Sequence, residues 1–180
     1  MVSVLHLSTT SEGGAGLAAL RLIEAQNKFG LDARLFYRAT DKKQLYSNSI
    51  PNIVSKIDSI KNNLFTLTNK MLSKKEFQPM SFMTGSSIDI DLLNKQSFDV
   101  LHIHNWYNFL SIRDLTLLCK NFPTVMTLHD QRIMTGGCHY SIDCNNYLIS
   151  CVRCPAMKIG KHIVPSIKEQ MDSFLGEDRK

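Results

Sequence analysis

No stretch of the 180-residue sequence gathers the roughly 20 apolar residues that a membrane-spanning helix needs, so no segment is expected to cross a bilayer. The opening "MVSVLHLSTT" lacks a basic segment and has few apolar residues, which excludes a secretory signal and points to the cytoplasm. There are no internal repeats and no low-complexity tracts. Cysteine is scarce, five in all, yet four of them fall between Cys138 and Cys154. In a reducing cytosol such thiols persist and disulfides are rare. The basic patch from Lys42 to Lys75 contains seven lysines and one acid, Asp58, but no arginine. A nucleic-acid surface mixes in arginine and aromatics to grip phosphates and stack bases. Only Tyr46 and Phe65 lie within this patch, so no nucleic-acid partner is expected. It reads as a solvated or membrane-facing surface.

What is present suits one globular α/β domain. Hydrophobic residues at 43% and charged residues at 21% are enough to build a core without covalent help. "VSVLHLS" reads as a buried strand and runs into the turn "TTSEGGAG". A helix follows, with Leu17, Leu20, Ile23 and Phe29 at helical spacing and Gly30 as its left-handed cap. "LDARLFYR" alternates as a second strand. Strand, glycine turn, helix and strand make the first half of a parallel sheet. The expected organisation is a single Rossmann-like domain over 1–180, a parallel sheet flanked by helices. Its parts are a first βαβ unit (1–40), a lysine-rich helical segment (41–97), later strands (98–134), a Cys-rich loop (135–157) and a C-terminal helix (158–180). In the lysine-rich part, Ile53, Ile57, Ile60, Leu64, Leu67 and Met71 share a helical face flanked by Lys56, Lys61, Lys70 and Lys74. That helix either faces the core or touches an anionic membrane. "FDVLHIH" and "PTVMTLHD" read as strands, the second ending in His129 and Asp130, and Ser111 with Asp114 forms a capping box between them.

Three motifs carry candidate chemistry. Gly13, Gly14 and Gly16 lie between a strand and a helix, where backbone amides approach a phosphate, although a tight turn explains them as well. The spacing is not G-x-G-x-x-G, and Arg38 stands where a ribose-binding acid belongs, which weakens a nicotinamide-dependent oxidoreductase. His104, Asn105 and Trp106 follow a strand at the edge where open α/β sheets bind ligands. His102 shares a strand face with His104 and reads as a core histidine. His104 and Trp106 suit either a site or the core. His129 and Asp130 would reach the same cleft if the strands are neighbours, and a histidine there can donate a hydrogen bond or polarise a hydroxyl. The cysteines are spaced C-x5-C-x6-C-x2-C. The final "CVRC" fits a metal knuckle, with disulfides and inert thiols as the alternatives. On the metal reading Cys138, Cys144, Cys151 and Cys154 hold a structural zinc, His139 is a reserve ligand, and Cys119 is an inert buried thiol.

"LHLSTTSEGGAGLAALRL", "FDVLHIHNW", "PTVMTLHD" and above all "TGGCHYSIDCNNYLISCVRCP" resemble the N-terminal half of family 4 glycosyltransferases. Those are GT-B enzymes with two Rossmann-like domains facing a cleft, and the likeness is to members of bacterial capsule and exopolysaccharide assembly. It covers residues 1–157. The resemblance implies a retaining transfer from a nucleotide-sugar donor to a glycan or lipid-linked acceptor, without a catalytic metal. It implies that Gly13, Gly14 and Gly16 lie near the diphosphate and acceptor, and that His129 lies near the reacting sugar. His104 and Trp106 would then stand at the acceptor mouth, with Asp130 beside the substrate. The family's donor-gripping glutamates belong to a C-terminal domain that this sequence does not reach, so the chain alone is expected to be inactive. In place of an aromatic-proline turn after "TLHD" it has Gln131, Arg132, Ile133 and Met134. The rival reading is a non-catalytic, zinc-stabilised interaction module on a degenerate Rossmann-like fold.

Overall fold

The computed structural model describes residues 1–37, 56–77, 79–81 and 90–177. Arg38, Ile53 and the side chains of Lys56 and Ile57 lie outside that description. Where one domain is expected over 1–180, the chain clusters into two compact units. The first comprises Met1–Ser59 and Ser86–His129, the second Ile60–Gly85 and Asp130–Lys180.

The first unit is built on a four-stranded parallel sheet. Val4, Leu5 and Leu7 are buried on both faces of β1 (Ser3–Ser8), as a central parallel strand requires. It pairs with β2 (Asp32–Tyr37) on one side and β3 (Val100–Ile103) on the other, and β3 pairs with β4 (Thr124–Met126), giving the order β2-β1-β3-β4. This is the expected α/β, Rossmann-like arrangement, with helices flanking the sheet. Helix α1 (Gly13–Lys28) packs Ala19, Leu20 and Ile23 against Leu35 and Tyr37 of β2. It stops where expected, with Gly30 at φ +85° just beyond its end. The register sets His6 beside Leu35 and His102, and His102 beside Val125, so both histidines share one face. The expected capping box is present before α4 (Ile112–Asn121). Asp114 donates its backbone N–H to Ser111 Oγ at 3.1 Å, and the Asp114 carboxylate accepts the Ser111 N–H at 2.7 Å. One expectation is corrected: β4 ends at Met126, and His129 stands in the bend that follows rather than on the strand.

The second unit holds most of α2 (Lys56–Leu72), the cysteine loop and α5 (Ile163–Glu177). Pro165 occupies the first turn of α5, where its missing N–H costs no helical bond. Isolated antiparallel bridges join Ser73 to Met157 and Met80 to Cys138. A buried set including Ile133, Met157, Val164, Met171 and Phe174 supplies the core. The core-facing reading of α2 does not hold for its described apolar stripe. Ile60, Leu64, Leu67 and Met71 are each more than half exposed, while Asn69 on another face is buried.

Gly16 is where the glycine turn tolerates no side chain. An added Cβ would stand 2.6 Å from both the Thr10 carbonyl oxygen and the Ser11 carbonyl carbon, whereas one at Gly14 meets nothing within 4 Å. We therefore expect Gly16→Ala to destabilise the chain by roughly 1–3 kcal/mol through overpacking. Gly14→Ala should be neutral or gain up to about 1 kcal/mol of helix propensity. Urea unfolding compares the two; equal midpoints would mean that the turn is not packed as described.

Candidate functional site

A row of imidazoles crosses the first unit. His6 on β1 is fully buried, and its Nδ1 lies 2.9 Å from Nε2 of His104. Nδ1 of His104 lies 3.2 Å from Nε2 of His129. At the other end, Nε2 of His6 meets Oε1 of Gln26, on α1, at 2.8 Å. The His6 and His104 rings stand 5.2 Å apart and are tilted by only 22°. With the short nitrogen–nitrogen distance, that is two rings meeting edge to edge. His102 lies against the face of His104, with centroids 4.2 Å apart, and its Nε2 contacts Thr127 Oγ1 at 2.7 Å. His129 is half-buried.

His6, His102 and His104 are, among the described residues, the group whose possible metal-ligating atoms all lie within 4.8 Å of one another. Their geometry nonetheless favours hydrogen bonding over an ion. An imidazole ligates through the lone pair in its ring plane. The stacked His102 and His104 rings, only 25° from parallel, send those lone pairs side by side rather than to one point. The position between His6 and His104 is filled by their own hydrogen bond.

Burial lowers the His6 pKa to about 4, with the Gln26 hydrogen bond opposing and His102 adding to the effect. Burial, followed by His102, His6 and His129, lowers His104 to about 3. Burial and then His129 also lower His102. All three rings are neutral at pH 7.

The strand order brings the expected elements together. β1, β3 and β4 are consecutive neighbours, so the turn containing Gly13, Gly14 and Gly16, then His104, then His129 follow adjacent strands at their C-terminal ends. Trp106 is only 5% exposed, so its ring packs in the interior rather than lining a mouth. His102 is buried as a core histidine. His6 and Gln26 were missed from the sequence, because His6 is embedded in an otherwise apolar strand. The available signal was a histidine at or just after each of three strands.

Asp130 belongs to the second unit and serves a different network. Its carboxylate pairs with His139 Nδ1 at 2.7 Å and accepts the Arg132 N–H at 2.9 Å. Nε2 of His139 meets Ser81 Oγ at 2.6 Å. Burial would raise the Asp130 pKa, but the His139 and Arg132 hydrogen bonds outweigh it and hold the carboxyl below the usual range. Acid, imidazole and hydroxyl follow the order used by serine hydrolases. However, Ser81 is 1% exposed and its N–H donates to Gly137, so the hydroxyl is not presented to a ligand. The arrangement braces the loop. Both His139 nitrogens are engaged, which corrects its expected role as a reserve metal ligand. Gln131 and Arg132 form the same brace: Gln131 Oε1 accepts the Ser141 N–H at 2.6 Å, and the Arg132 N–H is the one held by Asp130.

The four clustered cysteines line one cavity of about 10 Å³ in the second unit, room for a single atom-sized guest. All are free thiols. Cys138 and Cys154 share a hydrogen bond that pulls Cys154 well below the ordinary thiol range and pushes Cys138 up. The Cys154 sulfur also accepts the N–H groups of Ala156 and Met157, and Lys161 stands near it. Cys151 and Arg153 hold left-handed backbone, φ 55° and 59°, which costs side-chain-bearing residues energy and needs a local constraint. Among the described residues no three of these sulfurs lie within 4.8 Å of one another. Zinc–sulfur bonds of about 2.3 Å require sulfurs about 3.8 Å apart, so the four thiols would have to draw together to form a tetrahedral cage. The residues fit the metal in type and number, whereas burial pushes the Cys151 thiol up and only Cys154 is drawn towards the thiolate. Cys119 lies apart on α4 and is half-buried, not fully buried as expected.

Comparison with protein-family models, curated proteins and solved structures finds no match to this chain.

The histidine row makes stability acid-sensitive well above the carboxylate range. Unfolding restores an ordinary histidine pKa near 6.5, so below that pH the unfolded chain takes up protons that folded His6 and His104 refuse. Their contribution is complete above about 6.5 and is lost as the pH falls towards 4. We expect each to cost on the order of 1.4 kcal/mol per pH unit in that window. Urea unfolding between pH 7 and 5 measures this; a constant stability would mean that the rings are not buried and neutral.

Proposed function

We propose that this chain is the acceptor-side, Rossmann-like part of a retaining GT-B glycosyltransferase. It would help move a sugar from a nucleotide-sugar to a glycan or lipid-linked acceptor in surface polysaccharide synthesis. The observation that carries this reading is the order β1-β3-β4, because it gathers the glycine turn, His104 and His129 at one edge of one parallel sheet. Ligands of open α/β sheets bind outside that edge. The turn leads directly into α1, whose first turn contains no acid although Glu12 stands at its N-cap without capping it, so the N–H groups there remain available to a phosphate-bearing donor. His129 is the half-buried end of the imidazole row, and it is the residue we assign to the reacting sugar.

This reading requires a second domain to grip the nucleotide. The assay therefore joins the chain to a nucleotide-sugar-binding domain and follows transfer from labelled nucleotide-sugars to lipid-linked acceptors. His129→Ala should lower turnover by roughly 10²- to 10⁴-fold with a smaller effect on acceptor binding. Undiminished turnover would make His129 structural, and no transfer from any donor would favour a non-catalytic module.

The same reading gives the cysteine loop a structural zinc held by Cys138, Cys144, Cys151 and Cys154. Bound zinc would tie together a segment whose Tyr140, Leu148 and Ile149 are exposed and contribute little core. Protein purified without chelator should contain about one zinc per chain, and Cys151→Ser should release it with loss of order in 135–157. Metal-free protein with an ordered loop would leave the cysteines as inert thiols.

A further inference from the structure

The imidazole row has a property that none of its members has alone. A neutral imidazole carries one N–H donor and one lone-pair acceptor on its two ring nitrogens. In a chain of N–H···N bonds, the tautomer of one ring therefore dictates that of the next. Gln26 supplies the terminus: Oε1 can only accept, so the nitrogen facing it, Nε2 of His6, carries the proton. Nδ1 of His6 is then a lone pair and accepts from Nε2–H of His104. Nδ1 of His104 is in turn a lone pair and accepts from Nε2–H of His129. The remaining nitrogen, Nδ1 of His129, has no hydrogen-bond partner among the described residues and is left as a lone pair.

We propose that Gln26 and His6 are positioning residues that fix His129 as its Nε2–H tautomer, so that it offers a ligand a hydrogen-bond acceptor at Nδ1 and not a donor. The ligand chemistry that this selects is a hydroxyl group. In identifying that hydroxyl with one on a sugar, the inference rests on the glycosyl-transfer reading. Three further observations support the lock. Burial keeps His6 and His104 neutral at pH 7, so no ring in the interior carries the second proton that would break the alternation. The rings are close to coplanar where they bond, 22° between His6 and His104 and 31° between His104 and His129, which aligns each N–H with the next lone pair. His102 lies on the face of His104 and limits its rotation. The control therefore runs from the surface of α1, through two buried rings, to the end of the neighbouring strands. Rotating the Gln26 amide by half a turn would put a donor against His6 and reverse every bond, converting His129 into an Nδ1–H donor.

The test uses the full chain labelled with ¹⁵N and long-range proton–nitrogen spectra of the imidazoles at pH 7.5, assigned with single His→Gln variants. In the unmodified protein, His6, His104 and His129 should each show a protonated Nε2 and an unprotonated Nδ1. Gln26→Glu, whose carboxylate also only accepts, should keep that pattern. Gln26→Leu removes the anchor, and the two His129 nitrogens should move towards the averaged shifts of a tautomer mixture. A protonated Nδ1 at His129 in the unmodified protein would overturn the proposal, as would a His129 pattern untouched by Gln26→Leu. Displacement of the His6, His102 and His104 signals by one equivalent of added zinc would also overturn it, in favour of a metal site. The unmodified protein decides the tautomers by itself, so a Gln26 variant that fails to fold does not remove the test. The spectra do not depend on turnover. An intact pattern in a protein that transfers no sugar would count against the glycosyl-transfer reading alone.

Discussion

The parallel pairing of β1 with β3 is the constraint on which the candidate site depends. Its register sets His6 directly beside His102, and the next outward residue on that face, His104, reaches back to His6 Nδ1. A one-residue slip would turn either strand's histidines to the opposite face, where Leu5, Leu7, Leu101 and Ile103 are now buried. Two leucine or isoleucine side chains of the slipped strand would then face α1 in place of its imidazoles, and its histidines would enter an apolar layer without partners. Hydrophobic burial on one face and hydrogen-bond satisfaction on the other therefore select the same register. That agreement explains how a sheet of short strands can carry polar rings through its centre.

The cost of burying imidazoles is offset because they satisfy one another. An unpaired buried polar group costs about 1–3 kcal/mol, and three scattered histidines would consume much of a small domain's stability. In a row, each ring is the partner of the next, and only the ends need outside groups. Gln26 closes one end and half-buried His129 stands at the other. The second unit solves a similar problem with a closed network. Asp130, His139 and Ser81 satisfy each other inside the loop, and the serine is sealed. The difference is informative. The first network has an end within reach of solvent, whereas the serine of the second has none.

How much of this was legible in the sequence follows the range of the interactions involved. β1, α1, β2, the Gly30 cap and the Ser111–Asp114 box were readable because each rests on neighbours within a few residues. His104 and His129 were readable as strand-end residues. Their direct contact was not, because it depends on β3 and β4 being adjacent. His6 was hidden by its apolar surroundings, and Gln26 by its ordinary place in a helix. Asp130 follows His129 in the chain, yet its carboxylate is bound to His139, a partner that no local pattern indicates. Trp106, left open between site and core, is buried, and Cys119 is less buried than expected, since exposure is a property of packing and not of residue type. The same holds for α2, where periodicity gave the stripe of Ile60, Leu64, Leu67 and Met71 correctly but not the direction it faces.

The two metal-capable clusters lead to opposite conclusions, and the reason lies in their unspent chemistry. At the histidines, the ring nitrogens that an ion would need are already engaged, Nδ1 of His6 with Nε2 of His104 and Nδ1 of His104 with Nε2 of His129. An ion would have to break the row, reorient stacked rings and displace the proton between His6 and His104. At the cysteines, the sulfurs surround a common space, and one of them is already biased towards the thiolate by a neighbouring thiol, two backbone N–H groups and a lysine. Thiols are weak hydrogen-bond partners and gain little from each other, whereas thiolates gain strongly from a cation. The left-handed residues Cys151 and Arg153 add a strain that coordination at Cys151 and Cys154 would help to hold. Proximity alone would rank the histidines first. Counting which lone pairs remain available ranks the cysteines first, and that is the physically relevant count.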